Sequence, residues 1–167
     1  MTSRAGPGDG FTVLDGAALV IGSAIAAVHV RAAAQPAEGL DLMGWTLLWV
    51  VLIGVALTAA GPIVFVVRRY GRRPPGYPQT GDRLWAVLGT PWLLAAPVRD
   101  EALGILLLEV GTAIASMASL AVLWQTRVVV PPARARARAP TTWTAKVGMI
   151  LAITWPLQAG FVLAVVG

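Results

Sequence analysis

A carboxylate set deep in an oily helix has three ways to exist: protonated, paired with a donor from another helix, or facing water. Glu109 is such a group, the single ionisable side chain in the run from Ala102 to Thr126. It lies eight residues past Glu101, near mid-depth of that run, where it could bind a proton or substrate, or could join helices by hydrogen bonding. His29 and Gln158 are the other members of a candidate intramembrane polar site. His29 is the sole histidine, so a bis-histidine haem site is excluded. Both His29 and Glu109 fall toward the outer side in the arrangement derived below, and an approach between them is expected, against the plainer reading of an interfacial histidine. Gln158 and Gln125 can bond across helices, which is worth about 1 kcal/mol in a bilayer. Asp15 faces headgroups or pairs with a neighbour, and the one lysine, Lys146, snorkels to the nearer interface.

Other chemistries are absent from the sequence. With no cysteine there are no disulfides, thiolate metal sites or cysteine nucleophiles. No H-E-x-x-H, phosphate-cradling glycine loop, G-x-S-x-G or carboxylate pair at ligand spacing occurs. The expectation is a non-enzymatic chain with no catalytic residue, cofactor or metal. The twelve arginines and one lysine come without an aromatic platform or folded nucleic-acid motif, so nucleic acid is not an expected partner.

The elements that must position these residues follow from composition. The 167 residues are 57% hydrophobic and only 13% charged, with a mean hydropathy of +0.73, whereas soluble domains carry about 25% charged residues. The charges cluster between long uncharged runs. A helix needs about 20 residues to cross the hydrocarbon, because its backbone polar groups cannot be left unpaired in lipid. Runs 11–31, 44–67, 102–126 and 143–166 meet that length. Run 84–98 is short and contains Gly89 and Pro91. The expected fold is all-α, a polytopic transmembrane bundle of five spans forming a single membrane domain. The alternative has four spans plus a short re-entrant or interfacial helix at 84–98. A turn at Pro97 would lead into the fourth helix, with the proline in its first turn, and kinks are expected at Pro62 and Pro156.

Retention of basic residues on the cytoplasmic side separates the two topologies. Five spans with the N-terminus inside place eleven basic residues inside (Arg4, Arg68, Arg69, Arg72, Arg73, Arg83, Arg127, Arg134, Arg136, Arg138 and Lys146) against Arg31 and Arg99 outside. Four spans leave seven against six, so the rule favours five. Loops 68–83 and 127–142 are then basic cytoplasmic loops. Arg68, Arg69, Arg72, Arg73, Arg134, Arg136 and Arg138 are candidate contacts to anionic lipid headgroups, each worth about 1 kcal/mol near the surface. The composition points to the cytoplasmic membrane of a bacterium.

Close helix packing in lipid depends on small residues. Ala18, Gly22 and Ala26 in the first run and Gly111, Ala115 and Ser119 in the fourth recur every four residues, and the expectation is that these two helices pair. Trp45, Trp49, Trp85, Trp124 and Trp143 lie near run ends, where indole anchors at the headgroups. The functional expectation is an accessory or scaffold subunit whose partners are the bilayer and either another membrane protein or further copies of itself. The alternative is a small transporter or channel that uses Glu109.

Overall fold

The computed structural model describes residues 10–33, 41–71, 77–125 and 142–166. Among these the chain is all-α, with five helices and no strands. They are α1 (Val13–Ala33), α2 (Leu42–Tyr70), α3 (Thr80–Ala95), α4 (Glu101–Trp124) and α5 (Trp143–Val166).

Each helix starts on side-chain oxygens that satisfy the first free N–H groups of the turn. Thr12 and Asp15 form a reciprocal box on α1. Asp15 N–H donates to Thr12 Oγ1 at 3.2 Å, and Thr12 N–H donates to Asp15 Oδ2 at 2.9 Å. Asp41 accepts from Gly44 N–H at 2.8 Å on α2, and Asp100 accepts from Leu103 N–H at 2.8 Å on α4. On α3, Asp82 accepts from Gln79 N–H at 2.8 Å, and on α5 Thr142 Oγ1 accepts from Ala145 N–H at 3.2 Å.

Two expectations about the middle of the chain need correcting. The Gln79–Asp82 box starts α3 at Thr80, so residues 80–83 are helical rather than the end of a loop, and the helix stops at Ala95. Pro97 lies in the turn after α3, and Asp100 starts α4. Helices α2, α3 and α5 run on through Pro62, Pro91 and Pro156.

The shortest helix is the centre of the molecule. At 16 residues, or about 24 Å, α3 packs against α2, α4 and α5, while α1 lies on α2. Leu84, Trp85, Leu88 and Trp92 of α3 are all buried. Glycine permits the close approaches. A Cβ on Gly81 of α3 would meet the Ala145 carbonyl of α5, and one on Gly148 of α5 would meet the Gly81 carbonyl. Gly89 faces the Thr58 carbonyl of α2 and the ring of Pro62 one turn further on.

The small-residue stripes are buried, but α1 and α4 do not form the expected close pair. Gly22 sits against Ala56 and Ala60 of α2, and Gly111 sits against Pro91 of α3. Central α3 takes the place next to α4 that α1 was expected to fill. Trp85 is likewise a core residue rather than an interfacial anchor. The residue is 1% exposed and its indole N–H donates to the Leu57 carbonyl at 2.7 Å.

Two helices among the described residues are long and apolar enough to cross a membrane: α2 and the Ala102–Trp124 part of α4. The apolar part of α1, Val13–His29, is shorter.

Candidate functional site

The densest polar chemistry lies at one end of the bundle, where the starts of α1, α3 and α5 meet the end of α2. Arg68, two residues before the end of α2, reaches Asp15 in the first turn of α1. Its Nε donates to Asp15 Oδ1 at 3.0 Å and its Nη2 to Oδ2 at 2.8 Å. This side-on, two-bond geometry is the strong form of a guanidinium–carboxylate contact. The pair is out of solvent, with the residues 5% and 0% exposed respectively. Arg68 Nη2 also reaches the Gly10 carbonyl at 3.4 Å, and the guanidinium carbon lies 5.1 Å from the centroid of the Trp143 ring. Asp15 Oδ2 additionally takes the Thr12 hydroxyl at 2.9 Å.

Asp82 forms the second half. Its Oδ1 accepts from Thr144 Oγ1 at 2.6 Å, and Thr144 Oγ1 lies 3.1 Å from Thr142 Oγ1. Thr142 N–H donates to Gln79 Oε1 at 3.3 Å. One carboxylate thus caps its own helix, α3, and ties it to the start of α5. Beside it the Tyr77 hydroxyl donates to the Phe65 carbonyl of α2 at 2.9 Å. Burial, then the neighbouring Asp82 charge, push the Tyr77 phenol well above its ordinary value, against the opposing pull of Arg68 and Arg69. Trp143 closes the group from α5, with its ring centroid 6.0 Å from that of Trp85 and 5.5 Å from that of Phe11.

All four carboxylate oxygens of Asp15 and Asp82 therefore accept hydrogen bonds from the protein itself. That arrangement fastens helix ends. No group of three metal-ligating side chains occurs among the described residues. The cluster contains two carboxylates and one guanidinium, and Arg68 holds Asp15 through Nε and Nη2 while its Nη1 is buried without a hydrogen-bond partner among the described residues.

The residues singled out by sequence lie elsewhere. Glu109 is exposed on the outer face of α4, and among the described residues no hydrogen bond or ion pair reaches its carboxylate. His29 does not approach it. His29 Nε2 is 3.0 Å from the Trp92 carbonyl of α3, and the two rings meet edge-on at 5.4 Å. The Gln158 side chain is outside the described residues, as are Arg72, Arg73, Arg134, Arg136 and Arg138. Arg69 is exposed, but Arg68, expected at the headgroups, is buried because Asp15 supplies a fixed counter-charge at the same depth. Of the two readings of Asp15, the structure adopts the paired one.

Sequence reasoning missed Asp82, Tyr77, Gln79, Thr142 and Thr144. Thr12–Asp15 and Gln79–Asp82 carry the three-residue spacing of a capping box, and that spacing was the available signal for the ends of α1 and α3. Comparison with known protein families, with curated proteins and with solved structures finds no match.

Proposed function

We propose that the chain is an integral membrane protein in which all five helices cross the bilayer, and that it acts as a non-enzymatic scaffold or accessory subunit. The observation that carries this reading is the apolar outer surface. Around a largely apolar interior with the polar cluster of Asp15, Arg68, Asp82, Thr142 and Thr144 at one end, the outer faces also carry large apolar side chains, among them Val20, Ile53, Ile114, Met117 and Ile153. Water would penalise such a surface, whereas lipid favours it. The apolar segments of α2 and α4 are only 33% and 22% buried within the protein, unlike the core helix of a soluble domain.

Contacts at the two ends support five alternating crossings. Asp15–Arg68 and Asp82–Thr144 bring the starts of α1, α3 and α5 beside the end of α2, and His29 meets Trp92 at the other end. A re-entrant α3 would reverse α5 and separate Asp82 from Thr144. Central placement also explains how a helix of about 24 Å serves as a span, since its ends are covered by protein. The basic residues of the sequence stretches 68–83 and 127–142, counted by the retention rule, support a cytoplasmic N-terminus in a bacterial cytoplasmic membrane.

A transport path through Glu109 is less well supported, because the residue faces away from the bundle interior. The cleft formed by Pro62, Ile63, Val66, Val67 and Leu93 is apolar. The scaffold reading predicts that the chain, extracted from its native membrane in mild detergent, travels in a particle heavier than its own 17.4 kDa once detergent is subtracted. A particle with the mass of one chain overturns that reading.

A further inference from the structure

We infer that the outer face of α4 is the docking seam for one further transmembrane helix, and that this partner carries a basic side chain at the depth of Glu109. The inference rests on the membrane reading above and names the chemistry of the partner.

Helix α4 is a peripheral helix, packed chiefly on α3, and its outward side has no neighbour among the described residues. Along that side Ala102, Leu106, Glu109 and Ala113 are exposed at the alternating four- and three-residue spacing that lets one helix pack along another, and Leu120 is exposed seven residues further on. Glu109 lies eight residues, or about 12 Å, inside the helix start. That is too deep for a short side chain to reach the headgroups easily, and a carboxylate facing lipid at that depth is unfavourable. Ala113, one turn further on, lets a partner backbone approach beside the carboxylate.

The described residues do not supply the complement. The cations of its helices are Arg31, Arg68, Arg69, Arg83 and Lys146, which lie at helix ends. A second copy placed symmetrically on this face would set Glu109 against Glu109, like charge against like. A different helix with a lysine or arginine at matching depth neutralises the group and satisfies its oxygens.

The test uses the whole chain in lipid vesicles, labelled through Gln125→Cys at the exposed end of α4; the natural sequence has no competing cysteine. Synthetic leucine–alanine transmembrane peptides with a central lysine, glutamine or leucine serve as probes, and energy transfer reports association. The lysine peptide should bind about five- to thirtyfold tighter than the leucine peptide. That preference should vanish in Glu109→Gln and return when Glu109→Lys meets a peptide with a central glutamate. Equal binding of the three peptides overturns the inference, as does a lysine preference that survives Glu109→Gln, or Glu109-dependent transfer between copies of the chain itself. Failure of the chain to insert into the vesicles would refute the membrane reading instead, and with it this one.

Discussion

Asp15 and Arg68 are separated by 53 positions in sequence and joined by two hydrogen bonds in the fold. Removing one partner leaves the other charge buried without compensation, which in proteins costs about 3–5 kcal/mol. Asp15→Asn and Arg68→Gln should each lower the unfolding midpoint in a denaturing-detergent titration by an amount of that order. The double variant should lose less than the sum of the two, because the orphaned charge is then gone. Tyr77 makes a different prediction. Its phenol is neutral and raised in the fold, so its contribution to stability is intact below the unfolded value near pH 10 and is lost as the pH climbs toward the higher folded value. Unfolding followed above pH 10 should show a steeper alkaline loss in the natural protein than in Tyr77→Phe. At neutral pH that variant should be weaker by about 1 kcal/mol for the lost bond to the Phe65 carbonyl. Little of this cluster was legible in the sequence. Hydropathy grades residues one at a time, and nothing local at Arg68 distinguishes it from Arg69, which is exposed. The distinguishing fact is relational: Asp15 and Arg68 each lie within a turn of the same end of adjoining helices.

The helices themselves were far more legible, because uninterrupted apolar runs leave the backbone few alternatives to internal hydrogen bonding in lipid. Their ends were less so. The start of α3 reads as loop by composition, with Gly81, Asp82 and Arg83 together, yet Asp82 turns the same residues into a capped first turn. Which helices touch was not readable from small-residue spacing, since Gly22 and Gly111 mark close approaches without saying to what. Besides the Asp82–Thr144 bond, α3 and α5 meet where Gly81 approaches Ala145 and Gly148 approaches Gly81. Side chains there must push two backbones apart, and overpacking of this kind costs about 1–3 kcal/mol. Gly148→Val should lower the unfolding midpoint by that amount. Gly104→Ala, in a helix position where an added methyl meets nothing, should instead leave stability unchanged or raise it by up to about 1 kcal/mol. Equal losses at the two sites would remove glycine proximity as the reason these helices pack.

For the molecule as a whole, a polar clasp lies at one end and large apolar side chains are exposed along the outer faces. The helical runs were legible from the spacing of the charges, and charge counts favour one orientation because basic residues act additively in deciding which face a loop occupies. The central position of α3 was not, because its shortness argues for an interfacial helix until the neighbours covering its ends are known. The most direct measurement of five alternating crossings is side-specific labelling of single cysteines in sealed vesicles, at the exposed positions Arg83, Arg99 and Lys146 of a chain with no cysteine of its own. Arg83→Cys and Lys146→Cys should react with a membrane-impermeant thiol reagent from one side, and Arg99→Cys only from the other. Arg83→Cys and Arg99→Cys reacting from one side, with Lys146→Cys opposite, would contradict the account.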